Sequence, residues 1–106
     1  MSRLLRFHGS TPLGRRLRRH AREIRRLVAD AGGSRVRVFG SVATGRDGEG
    51  SDVDLLFDMG SPLSLMELGL LESRIAELVG APVDLVPASA LRPDLRDRVL
   101  VEAVLM

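Results

Sequence analysis

Asp52 and Asp54 stand two residues apart at the head of an apolar run, Leu55-Leu56-Phe57, while Gly40-Ser41 closes another, Val36-Arg37-Val38-Phe39. Side chains two apart on a strand point to the same side. The two carboxylates can therefore aim four oxygens at one place, as hard divalent cations require. A glycine directly after a strand lets the backbone approach a phosphate, and the N–H groups of a following short helix add donors. The hydroxyl of Ser41 adds one more. Strand, tight turn, spacer and a second strand bearing two acids suit a nucleoside triphosphate and its magnesium.

A third carboxylate, Asp84, lies in the middle of Pro82-Val83-Asp84-Leu85-Val86. Aspartate is depleted in strand interiors, so each of these acids conflicts with its apolar neighbours, and such conflicts tend to mark sites. The plainer alternative stays open for all three: outward-facing acids on half-exposed or edge strands. If the strand of Asp84 lies beside that of Asp52, three acids converge on one sheet edge. They would repel one another without a cation. Bound magnesium would neutralise charge on the attacked α-phosphate and the departing pyrophosphate. Asp84 would orient or deprotonate the incoming hydroxyl.

Thr11-Pro12 reads as a helix start, a capping hydroxyl followed by proline at the first helical position. Leu13, Leu17, Ala21, Ile24, Val28 and Ala31 continue it as one apolar face to Gly32-Gly33. Residues 35–39 alternate as a strand, 45–51 are turn-formers in a mobile loop, and 53–58 form a second strand. Residues 63–79 read as a helix buried on most sides, because Leu63, Met66, Leu70, Leu71, Ile75, Leu78 and Val79 cover more than one stripe. A short strand bracketed by Pro82 and Pro87 belongs near a sheet edge. Pro93 opens a last helix with Leu95, Val99, Leu100, Ala103 and Val104 on one face, read first as core packing and second as a contact surface. The expected fold is α/β, a small mixed β-sheet with helices packed on one face, in a single domain over 1–106 with residues 1–12 as an N-terminal extension.

The 106 residues carry 16 basic and 14 acidic side chains, all the basic ones arginine, and no cysteine. Disulfide and thiol chemistry are thereby excluded. No apolar run approaches the roughly 20 residues that span a bilayer, and no signal-peptide core follows Met1, so a cytoplasmic location and no membrane partner are expected. The net charge of +2 hides an asymmetry: residues 1–46 hold twelve arginines against two acids, and residues 47–106 hold four against twelve. The arginines of residues 15–26 can form a solvated face, a surface for an acidic partner, or a nucleic-acid footprint. With three Phe and no Tyr or Trp there are few stacking platforms, so direct nucleic-acid binding is not expected. His8 and His20 lack metal-ligand spacing.

The run from Val38 to Phe57, with Gly-Ser, a spacer and Asp-x-Asp between apolar residues, resembles the signature of the polymerase-β-like nucleotidyltransferases. The short length, the Pro-Val-Asp-Leu-Val strand and the terminal Arg-Pro-Asp-Leu-Arg-Asp-Arg-Val-Leu segment resemble their minimal branch, the minimal nucleotidyltransferase (MNT) antitoxins, over roughly residues 35–106. The resemblance implies the polymerase-β-like fold, with Gly40 and Ser41 on the triphosphate, Arg46 and Ser51 as further nucleotide contacts, and Asp52, Asp54 and Asp84 as catalytic, metal-holding carboxylates. It implies ATP as substrate, one or two Mg2+ ions, and a HEPN-domain toxin neutralised by transfer of AMP. Many relatives carry an arginine where this chain has Thr44, and the resemblance implies Arg46, just beyond Gly45, as the residue to substitute for it. Alternatives are an antitoxin that masks its toxin by stoichiometric binding and a transferase for small molecules. A chain this short offers no second domain for an acceptor pocket, which favours an acceptor supplied by a partner protein.

Overall fold

A computed structural model of the chain describes Phe7, residues 9–48 and residues 50–106. Its elements are α1 (Pro12–Arg19), α2 (Ala21–Asp30), β1 (Gly33–Phe39), α3 (Gly40–Thr44), β2 (Val53–Met59), α4 (Leu65–Val79), β3 (Val83–Pro87), a 3₁₀ turn (Ala88–Ala90), α5 (Pro93–Glu102) and β4 (Val104–Leu105). The sheet runs β3-β2-β1-β4, with β2–β3 parallel and the other two pairs antiparallel. This is the expected mixed α/β architecture, and β3 lies at an edge as its bracketing prolines imply.

Alternation along each strand divides the sheet into two faces. Val36 and Val38 of β1, Val53, Leu55 and Phe57 of β2, and Val83 and Leu85 of β3 share one core with Leu13 and Leu17 of α1, Ile24 and Val28 of α2, and Leu71, Ile75 and Val79 of α4. The residues between them, among them Arg37, Asp54, Leu56, Asp58 and Asp84, fall on the opposite face. Of the stretch expected as an extension, Phe7 is buried and its N–H bonds Leu105 O at 2.7 Å. The other residues before Gly9 lie outside those described, as does Glu49 of the loop.

Four expectations are corrected. The first helix is two, broken at His20, where φ −98° and ψ 9° leave the helical region and the N–H is shared between Arg16 O and Leu17 O. A bend there keeps the stripe on the core, for Leu17 and Ile24 on either side are both fully buried. The second long helix buries one face only: Leu71, Ile75 and Val79 are inside, whereas Leu65, Met66 and Leu70 are exposed. A single layer of helices on a small sheet leaves the rest of α4 uncovered. The last helix ends at Glu102, since Ala103 is extended and Val104–Leu105 pairs with Val38 and Arg37 of β1. No residue of α5 is buried, so core packing is not its role.

Capping fixes the helix starts. Thr11 Oγ1 accepts from Gly14 N at 3.0 Å, and Ser64 and Glu67 exchange reciprocal bonds at the start of α4. Glu72 of α4 accepts the Leu85 N–H of edge strand β3 at 2.8 Å, tying helix to sheet edge.

Candidate active site

Asp54 sits on β2 with Asp84 beside it in parallel register on β3. Adjacent strands are about 4.8 Å apart, so the two carboxylates are neighbours on the face turned away from α1, α2 and α4. Asp52 comes two residues earlier, just before β2 begins, on the same side. The spacing thus brings the three sequence-predicted acids together at one end of the sheet. Asp52 and Asp84 are exposed and Asp54 is half-buried.

Gly40-Ser41 reaches the same place from β1. Phe39 is the register partner of Asp54, so α3 starts immediately beside that carboxylate. Gly40 has φ +76°, and a Cβ there would run into Asp54 Oδ2. Both the backbone sign and the close approach therefore require glycine. Gly40→Ala should cost about 1–2 kcal/mol in urea unfolding from the left-handed backbone alone, and should displace Asp54. Stability within error of the parent chain would show that neither constraint operates.

The loop that joins α3 to β2 is clamped at several points. Arg46 N–H bonds Ser41 O at 2.9 Å, and Gly48 N–H bonds Ser51 Oγ at 2.9 Å. Thr11 Oγ1 donates to the Asp47 carboxylate at 2.8 and 2.9 Å, holding the loop to the start of α1. That latch escapes sequence reading, because its partners lie 36 residues apart. Of the other predicted contacts, Arg46 has an exposed side chain. Ser51 lines a cavity of about 420 Å3 with Thr11, Arg16, Asp47 and Pro82. Thr44 Oγ1 bonds back to Ser41 O at 3.2 Å, within its own short helix.

Burial raises the pKa of Asp54, and the charges of Asp84 and then Asp52 raise it further. An acid held against two other acids is a place for a cation, and oxygen-only donors fit a hard divalent ion. Among the described residues, no three acidic, imidazole or thiol groups are closed around a single point. The trio is therefore an open array facing solvent. Its arrangement suits one kind of chemistry: holding a cation that would offset the charge of a polyanion, and accepting a proton beside it.

Residues 17–106 match the nucleotidyltransferase domain family. The chain is 38% identical to the protein adenylyltransferase MntA of Thermococcus cleftensis over 85 residues, covering 80% of this chain and 83% of that one. The solved structure of a candidate minimal nucleotidyltransferase superposes with a TM-score of 0.80 at 37% identity, covering 93% of this chain and all of that one. A tri-AMPylated HEPN toxin of Shewanella oneidensis in complex with its MNT antitoxin gives a chain of the same fold, with TM-score 0.66 at 19% identity, over 83% of this chain and 69% of that one. Motif, sheet order and these likenesses agree: the chain belongs to the nucleotidyltransferase domain family and has its minimal form.

Proposed function

We propose that this chain is a magnesium-dependent protein adenylyltransferase that transfers AMP from ATP to a HEPN-type toxin and thereby neutralises it. The observation that carries the reading is Asp54, flanked by Asp84 in register and approached by the Cβ-less Gly40. The adenylyltransferase relative supports the reaction, and the toxin complex of the same fold supports the kind of acceptor. The acidic donor set fits a divalent cation, which when bound would offset charge on the triphosphate. Asp52 and Asp54 would hold it, with Asp84 alongside.

In this mechanism Gly40 and Ser41 hold the phosphates through backbone N–H groups and the Ser41 hydroxyl. The acceptor hydroxyl oxygen bonds to the α-phosphorus, the bond between the α-phosphorus and the oxygen bridging it to the β-phosphorus breaks, and pyrophosphate leaves carrying that oxygen. Exposed Asp84 takes the hydroxyl proton. The partner meets the exposed side chains of α5, where Leu95, Leu100 and Val101 are uncovered.

A second reading, an antitoxin that masks by contact, draws on Thr44, whose hydroxyl is engaged within α3 rather than offered to a nucleotide. One experiment separates the two. The purified chain is incubated with magnesium, α-labelled ATP and a lysate of its source cells, beside an Asp52→Asn/Asp54→Asn control. A single labelled protein band, absent from the control, is expected. No label on any protein, while the doubly substituted chain still neutralises its partner, would overturn catalysis in favour of masking.

A further inference from the structure

Beyond the three acids, the same sheet face carries a second charged constellation of opposite sign. Arg35 and Arg37 of β1, Asp58 of β2, Ala88 and Ser89 of the 3₁₀ turn, and Arg96 and Leu100 of α5 line a cavity of about 440 Å3. Three guanidiniums thus face one carboxylate. Arg37 is buried, with its Nη2 on Asp58 Oδ1 at 2.8 Å, and Arg35 Nε lies 3.6 Å from Asp58 Oδ2. Arg96 reaches only Leu91 O, at 3.4 Å. The Nε atoms of Arg37 and Arg96 are buried without a hydrogen-bond partner, two of just three such side-chain atoms among the described residues.

Buried donors are ordinarily satisfied, and a guanidinium out of water is costly unless its charge is matched. The backbone is also strained toward this arrangement. Arg35 holds φ +53°, the sole non-glycine with positive φ among the described residues, at a bulge where the β1–β2 register slips between Ser34 and Arg37. Bulges re-aim side chains near sites, and a strained non-glycine residue persists only where its surroundings hold it. Here the bulge lets both arginines of β1 reach one carboxylate.

We propose that this cavity is an oxyanion site, in which Arg35, Arg37 and Arg96 take a phosphate or a carboxylate group. Asp58 is four residues beyond Asp54 on β2, about 13 Å along the strand. The bound anion would therefore lie beside the triphosphate position rather than in it. Planar guanidinium forks suit both oxyanions, so the ligand's source has to be read from separate probes.

Calorimetric titration at fixed ionic strength, with inorganic phosphate in one arm and a triglutamate peptide in the other, tests the site. Saturable binding of at least one probe is expected. Arg96→Gln and Arg35→Asn should each raise its Kd about tenfold, asparagine being a residue that tolerates the backbone of position 35. Arg98→Gln, exposed on α5 and outside the cavity, should leave the Kd unchanged. A response to phosphate alone marks a phosphate-bearing ligand, and a response to the peptide alone marks a carboxylate; either upholds the site. Absence of saturable binding, or binding that survives both substitutions within about twofold, would overturn it. Phosphate held at Gly40-Ser41 would survive them, so that outcome counts against the proposal.

Discussion

If the chain is the proposed adenylyltransferase, Asp54→Asn should lower AMP transfer by about 10²–10³-fold or more while raising the thermal midpoint of the metal-free protein. The loss would follow from charge: asparagine offers one neutral oxygen where the carboxylate would face the proposed cation, and groups that stabilise developing charge are individually worth this much. The gain follows from the same charge. Burial and the neighbouring Asp84 and Asp52 all disfavour ionised Asp54 in the fold, so removing its charge relieves a penalty that the unfolded chain does not feel. Activity and stability therefore move in opposite directions at one residue.

The sign can be checked by pH. A carboxyl whose pKa is raised on folding binds its proton more tightly in the native state. Its contribution to stability is full below the ordinary carboxylate value of 3.8 and is lost as pH rises through the higher folded value. Melting curves in chelator should accordingly show the parent chain and Asp54→Asn converging at acid pH and separating toward neutrality, with the variant higher. Added magnesium should raise the parent's midpoint and leave the variant's nearly still. A variant that melts lower than its parent at pH 7 without metal would refute the repulsion account.

The part of the site carried by local spacing was legible in the sequence, and the part carried by long-range contact was not. Asp52, Asp54 and Gly40-Ser41 are placed by strand alternation and a turn, both local. Asp84 needed one further inference, that its strand lies beside β2, which the register of Asp54 with Asp84 bears out. The Thr11–Asp47 latch joins distant segments by hydrogen bonds that leave no periodic signal. The arginine cavity depends on a bulge at Arg35 and on Arg96 and Leu100 of α5 lining the same space as Arg37 and Asp58, and neither follows from residue type. The chain's end misled for a related reason. Val99, Leu100, Ala103 and Val104 keep helical spacing, yet the free edge of β1 offers hydrogen bonds to Val104–Leu105 that an isolated segment lacks. On α4, apolar residues outnumber what one face of a helix can bury, so composition overstated its burial.

Phe57→Ala should produce the largest loss of stability of any single truncation on β2. Phe57 is the largest fully buried side chain among the described residues, on a strand flanked by both β1 and β3. Gly33 leaves room for it: a Cβ at that glycine would stand 2.8 Å from the Phe57 ring and 2.8 Å from Val28 Cγ1. The ring thus fills a space enclosed by β1 and α2 that cannot close without moving both. Truncation should cost about 3–5 kcal/mol, a large share of the roughly 5–15 kcal/mol that holds a domain together. The midpoint should fall by about 12 °C or more. Leu65→Ala, equally apolar but 89% exposed, should change stability by less than about 0.5 kcal/mol. Urea unfolding of both variants gives the comparison, and a Phe57→Ala loss under about 1 kcal/mol would mean that this face of β2 is not the core. Phe57 and Asp54 are three residues apart on one strand, and alternation turns one inward and the other outward. That single period lets the strand anchor the fold with one set of side chains and present the acids with the other, so the stability lost at Phe57 and the activity lost at Asp54 should be separable by these two variants.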